Sequence, residues 1–187
     1  MNSGNNMYVI TGGPGAGKTT VLCELEQQGF PCALEVARQI IQEQVRDAGA
    51  ALPWADRILY TRLMLERSVQ AYKQYARGLH PTFFDRGIPD TLGYARLIAL
   101  KDDQFIRRAC DQCRYTSPVF LAPAWREIYV TDSERKQDFD EAERTCALVA
   151  ETYQQCGYEV VEIPRATPKA RAEFIVKRLT TTTRTHP

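Results

Sequence analysis

Residues 9–20 read VITGGPGAGKTT, an apolar run that breaks into glycines and closes on Gly17, Lys18 and Thr19. Gly12, Gly17, Lys18 and Thr19 fit the spacing G-x-x-x-x-G-K-[ST]. Glycines tolerate positive φ and let another group come close to the main chain, so successive N–H groups can converge on a phosphate. Lys18 supplies a point charge for β- and γ-phosphate oxygens, and the Thr19 hydroxyl is a ligand for magnesium. A helix opening at residue 17 adds the positive end of its dipole. Such a loop needs a buried strand before it and a helix after it, so the chain must begin strand, loop, helix. We expect Gly12, Gly13, Pro14, Gly15, Ala16, Gly17, Lys18, Thr19 and Thr20 to hold ATP or GTP with Mg²⁺.

Apolar runs of strand length recur at 8–11 (YVIT), 31–35 (PCALE), 81–85 (PTFFD), 118–122 (PVFLA) and 158–164 (YEVVEIP). None alternates cleanly, which suits strands buried on both faces of a parallel sheet. Helical patterns fill the intervals: 17–28 ending at Gly29, 35–48 stopping before Gly49, and a long helix started by Pro53. That long helix carries Ile58, Leu59, Leu65, Val69 and Tyr72 at helical spacing. Further helices are expected at 89–100, 102–114, 139–156 and 168–180. Strands alternating with helices predict an α/β fold. No internal repeat or linker divides the 187 residues, so we expect one domain, with residues 1–6 and 181–187 frayed.

A net charge of +1 gives no electrostatic footprint for nucleic acid or an anionic membrane. Neither partner is expected. The polar start MNSGNNM and the short run YVI hold neither a signal peptide nor a membrane span, which predicts a cytoplasmic protein. The six cysteines then read as reduced thiols. Cys110 and Cys113 stand at metal-ligand spacing, but a zinc site wants two more ligands and no second C-x-x-C exists. Two thiols on one helix face is the preferred reading.

Two strands end on acids. TFFDRG (82–87) puts Asp85 where a second magnesium ligand would stand, with the fixed fork of Arg86 beside it; ligands of open α/β sheets sit at the carboxyl ends of strands. CALEVAR places Glu35 at a strand-to-helix junction and Arg38 one turn on. Glu35 has two readings: a favourable charge at a helix start, or the base that an acceptor hydroxyl needs. Between the fourth strand and the next helix, 123–142 carries Arg126, Arg135 and Lys136 among several acids. We read 123–139 as a lid whose arginines close over a transferring phosphoryl group. Arg38, Arg86, Asp90 and Tyr94 join Glu35 as candidates to hold the acceptor, Asp90 and Tyr94 sharing one helix face. DTLG (90–93) imitates a GTP-switch motif but falls inside a helix, and the chain has no N-K-x-D to read guanine.

This order of motifs resembles the nucleoside and nucleotide kinase group of phosphate-loop proteins. More narrowly, GGPGAGKTT, LEVARQII, FFDRGIPD and the W-R-E…D-S-E-R-K-x-D-F segment look like the bacterial AAA-domain ATP-binding proteins grouped with the nicotinamide riboside kinase domain of NadR, over roughly residues 7 to 178. The resemblance implies a three-layer fold with a five-stranded parallel sheet in order 2-3-1-4-5, helices on both faces and an arginine-bearing lid. It implies Lys18 at the phosphates, Thr19 and Asp85 at magnesium, and Glu35 as a base candidate. Arg126 and Arg135 would belong to the lid, and Arg165, in the loop 164–167, would lie beside the nucleotide base. The expectation is an ATP-dependent kinase of a small metabolite. From a different class, the alternative is a regulatory module that hydrolyses slowly.

Overall fold

A computed structural model describes residues 6–129 and 138–182. Its five strands are β1 (Met7–Gly12), β2 (Cys32–Ala33), β3 (Thr82–Asp85), β4 (Val119–Ala122) and β5 (Val160–Glu162). They form one parallel sheet in the order β2-β3-β1-β4-β5, as the resemblance implied. The helices are α1 (Lys18–Gln27), α2 (Val36–Arg46), α3 (Arg57–Tyr75), α4 (Ile88–Leu97), α5 (Gln104–Gln112), α6 (Phe139–Gln155) and α7 (Pro168–Thr182), with a short 3-10 turn at Arg126–Ile128.

Every residue of β1 is buried, so its pleat feeds two cores. Tyr8 and Ile10 face α1 and α7, meeting Val21, Leu25, Ile175 and Phe120. Met7 and Val9 face the other side, meeting Ile88, Leu92, Ile106 and Tyr153 of α4, α5 and α6. A smaller cluster, Ile40, Tyr60 and Met64, joins α2 to α3. Burial on both faces is why the strands read as continuous apolar runs. Cys110 and Cys113 belong to the second core as packed apolar groups.

Several element boundaries differ from the sequence expectation. The long helix begins at Arg57, because the Asp56 carboxylate accepts from the Ile58 and Leu59 N–H groups at 3.1 and 2.9 Å; Pro53 instead sits in a turn closed by Ala55 N–H on Leu52 O. A side-chain cap satisfies orphan donors that proline cannot reach. α2 stops at Arg46, two residues short of the expected end at 48, and Ala48 takes a left-handed conformation (φ 51°). β2 shrinks to two residues at the sheet edge: Pro31 has no N–H and joins only through its carbonyl, which accepts from Phe83 N–H at 2.9 Å. β5 spans three residues of the expected seven, α4 ends three residues early, and α5 is trimmed at both ends. Of the ends expected to fray, residues 1–5 and 183–187 lie outside the described residues; Asn6 O accepts from Thr82 N–H at 2.8 Å, and α7 continues to Thr182.

Phe83 is fully buried in the centre of this packing, 5.9 Å from the Tyr8 ring and 5.4 Å from Phe30. Phe83→Ala is expected to cost about 3–5 kcal/mol of stability, the range for aromatic truncation in a core. Urea titration of both proteins checks it.

Candidate active site

The phosphate loop runs from Gly13 to Gly17, between the end of β1 and Lys18, the first residue of α1. Gly17 adopts φ 73°, a left-handed turn that a side chain would strain. Its Cβ would also fall 2.8 Å from an Arg171 nitrogen and 3.1 Å from Ile128. A cavity of about 170 Å³ is lined by residues 15–20 and Ile128. Lys18 is buried, and its Nζ donates to Gly13 O at 3.0 Å, spanning the loop. Burial and the neighbouring Arg86 bring its pKa down to about 8, against the pull of Asp85, Glu35 and Asp90. Thr19 is exposed on the first turn of α1.

Asp85 ends β3 opposite Ile10 of β1. It is 5% exposed, and its Oδ1 is buried with no hydrogen-bond partner among the described residues. Burial raises its pKa from 3.8 to about 6, opposed by Lys18 and assisted by Glu35. A buried, unsatisfied carboxylate calls for a partner. Magnesium fits: it keeps several waters and takes one or two protein oxygens beside the phosphates. Among the described residues no group of three or more His, Cys, Asp or Glu could hold a metal by itself, and one carboxylate with the Thr19 hydroxyl suits an ion of that habit.

Beyond Asp85 the chain turns sharply, with Arg86 at φ 70°. Its Nε donates to Glu35 Oε1 at 2.8 Å and its Nη1 to Asp90 Oδ1 at 2.9 Å. Burial opposes the charge, but the Glu35, Asp90 and Asp85 carboxylates together hold this guanidinium more firmly protonated than usual. Asp90 also accepts from Thr11 Oγ1 at 2.6 Å, from Gly87 N–H at 2.8 Å and from the Tyr153 hydroxyl at 2.6 Å. Four donors therefore converge on one carboxylate. Glu35 stands at the N-cap position of α2 but makes no side-chain cap; its carboxylate meets Arg86 instead.

Glu35, Arg86 and Asp90 form the polar end of a second cavity of about 190 Å³ that begins at Pro14 of the phosphate loop. Its walls are apolar: Tyr60 and Met64 of α3, Tyr94 and Leu97 of α4, and Leu148 and Val149 of α6. Tyr60 and Tyr94 meet edge to face, 5.4 Å apart. The structure thus brings Pro14, Glu35, Arg86, Asp90 and Tyr94 to one cavity. Arg38 is half-buried on α2 and is not among the residues that line it.

The segment 123–139, expected as a lid, is described up to Tyr129 and again from Asp138. Arg126 is exposed, stacked 4.1 Å from the Phe139 ring centroid and 3.4 Å from Asp140. Arg135 lies outside the described residues. Tyr129 rests against Gly15, where an added Cβ would come within 2.6 Å of its ring. Arg165 reaches back to Ala124 O at 3.2 Å, joining the loop after β5 to the end of β4. Sequence reasoning missed Thr11, Tyr153 and the cavity wall from α3, which only tertiary packing assembles. It also missed Arg171, whose nitrogens donate to Ala16 O at 3.0 and 3.1 Å. A cation on the buried stripe Arg171, Ile175, Leu179 was the available signal.

The sequence matches the model of the AAA domain family over residues 7–171. The chain belongs to that family. Among solved structures, NadR protein in complex with NR superposes with a TM-score of 0.70 at 18% identity, covering 94% of this chain. NadR in complex with NAD and AMP-PNP gives 0.64 at 16%, covering 97%. This AAA-domain chain spans about half the length of those NadR chains, 51% in both cases. Deoxyadenosine kinase from M. mycoides with bound dATP gives 0.59 at 17%, covering 93% of this chain and 99% of its own. The fold is that of phosphate-loop kinases. No curated protein matches the chain. Among the described residues no helix is long and apolar enough to cross a membrane.

The raised pKa of Asp85 gives a signed prediction. The folded state holds this proton more tightly than the unfolded chain, so stability falls as pH rises from about 4 to about 6. Asp85→Asn keeps the shape without the charge. It should stabilise the ligand-free protein at pH 7 by about 1–3 kcal/mol, with no gain at pH 4. Urea denaturation at the two pH values measures both.

Proposed function

We propose that this AAA-domain protein is an Mg-ATP-dependent kinase that transfers the γ-phosphate to a hydroxyl of a small metabolite. The observation carrying this reading is the second cavity: it begins at the phosphate loop and combines a carboxylate pole with tyrosine walls. A nucleotide switch or a slow hydrolase has no need of such a chamber, whereas a kinase needs one for its acceptor. The nucleotides bound by the fold neighbours, AMP-PNP and dATP, support ATP at the loop.

Lys18 would exchange Gly13 O for β- and γ-phosphate oxygens, whose charge favours its ammonium form. Thr19 and Asp85 are the residues that would hold magnesium, which when bound neutralises charge on the phosphates. Glu35, oriented by Arg86, would accept the acceptor's proton. Asp90 is saturated by its four donors, so its role is to hold Arg86 in place. Tyr94 and Tyr60 offer flat apolar faces to a ring. We assign Arg126 to the lid, charge that closes over the transferring group, and Arg165 to the neighbourhood of the base.

The acceptor class follows from charge. Two carboxylates against one guanidinium leave the cavity wall net negative, which disfavours a phosphate already on the acceptor. The reading is therefore a nucleoside or similar unphosphorylated hydroxyl compound in preference to a nucleotide.

ADP release in the presence of nucleosides, their monophosphates and cofactor precursors tests this. Unphosphorylated compounds should stimulate turnover, and monophosphates should not. Glu35→Gln should retain ATP binding and lose about two to four powers of ten in transfer, the size of a general-base contribution. Lys18→Ala should lose several kcal/mol of transition-state stabilisation with milder loss of binding. Turnover that no acceptor stimulates would replace the kinase with a hydrolase.

A further inference from the structure

Arg171 sits on the first turns of α7, some 150 positions from the phosphate loop in sequence, and is only 2% exposed. Two of its nitrogens donate to a single main-chain oxygen, Ala16 O, while its Nε is buried with no hydrogen-bond partner among the described residues. A cation buried on those terms is a poor source of stability, since desolvation is not fully offset and an apolar side chain of similar size often serves as well. Its placement therefore asks for a reason other than packing.

The geometry points to Arg171 as a positioning residue for phosphate binding. In a trans peptide the carbonyl and the following N–H point in opposite directions. Two donors fixed on Ala16 O therefore fix the Gly17 N–H on the opposite side, away from α7. The left-handed conformation of Gly17 makes this peptide plane the one most free to flip, because glycine takes either sign of φ at little cost. Arg171 removes that freedom and polarises the same amide. Its positive charge also lies directly under the loop, 2.8 Å from where a Gly17 Cβ would be, where a polyphosphate would compensate it. α7 is itself tied down, since Ala172, Ile175 and Leu179 pack with Val21 and Leu25 of α1 in one core.

The inference rests on the phosphate-loop reading and not on the acceptor, so its test measures binding alone. Affinities for Mg-ATP and for inorganic pyrophosphate are compared by calorimetry in the wild type, Arg171→Met, Arg171→Lys and Leu179→Ala, the last loosening α7 without touching the loop. We expect Arg171→Met to bind both ligands about ten- to a hundred-fold more weakly, although its ligand-free melting temperature is not lowered. Arg171→Lys, which keeps the charge and one donor, should recover part of the loss. The Gly17 amide resonance should move strongly downfield with pyrophosphate in the wild type and much less in Arg171→Met. If that variant does not fold, the affinity and Gly17 resonance of Arg171→Lys decide by the same criteria. Pyrophosphate affinity within twofold of wild type in the folded Arg171 variant overturns the inference. So does an equal loss in Leu179→Ala, which would make Arg171 a packing residue. A wild type that binds neither ligand overturns the phosphate-loop reading and this inference together, while the acceptor assignment fails only in the turnover assay.

Discussion

One carboxylate organises the centre of this protein. Asp90 receives donors from β1 through Thr11, from the β3–α4 junction through Arg86 and Gly87, and from α6 through Tyr153. An ionised group this deep is tolerable only when its lone pairs are engaged. Each donor comes from an element that could otherwise shift independently, so the carboxylate fixes sheet, α4 and α6 in one relative position. Removing any one donor leaves the charge short of a partner in a low-dielectric interior, where the loss is largest. The position of Glu35 follows, because it is held by the same guanidinium that Asp90 holds.

Five positions earlier, Asp85 is treated in the opposite way. It is as buried as Asp90, yet one oxygen has no partner and its proton is held up to about pH 6. Lys18 beside it is also buried, and its proton is held less tightly than usual. Each group alone is in an unfavourable state, and they relieve one another only in part. Phosphate oxygens would restore the ammonium, and a divalent cation would restore the carboxylate. Pairs of titratable groups pushed apart by environment mark where chemistry is placed, and this pair lies at the carboxyl edge of adjacent strands. The network around Asp90 supplies the rigidity against which that local instability can be maintained.

What could be read from the sequence is what is local. The phosphate loop, the acid ending β3 and the helix carrying Asp90 and Tyr94 are each written within a dozen residues, and the structure places them as the spacing required. The strand order came from resemblance, since nothing in the apolar runs says which strands are neighbours. Helix starts were misplaced where two signals competed: Pro53 is compatible with a first turn, but the Asp56 side chain supplies acceptors and wins. The cavity could not be read, because Tyr60, Asp90 and Val149 are far apart in the chain and meet only after α3, α4 and α6 pack. Arg171 was readable in principle, as a charge on the otherwise apolar stripe it shares with Ile175 and Leu179.

The turn after β3 shows how the two functions of the site are combined. In D-R-G the flexible residue would be expected to take the difficult conformation, yet Gly87 is extended (φ −124°, ψ −177°) and Arg86 is left-handed. The glycine is needed for space: a Cβ there would lie 2.8 Å from the Tyr153 hydroxyl and 2.9 Å from the Tyr115 ring. Those are the residues that bring α6 and the segment between α5 and β4 against the turn. Arg86 accepts a conformation costing on the order of 1 kcal/mol, and holds it through its N–H on Ile10 O at 3.0 Å and two charge-assisted bonds. A relaxed backbone would aim the guanidinium elsewhere, separating Glu35 from Asp90 and uncovering both charges. The strain is therefore the condition for having a base candidate at one end of the guanidinium and the structural hub at the other. On the kinase reading proposed above, that arrangement would set an acceptor's hydroxyl end beside the phosphate loop and leave the tyrosine walls to hold the rest of the molecule.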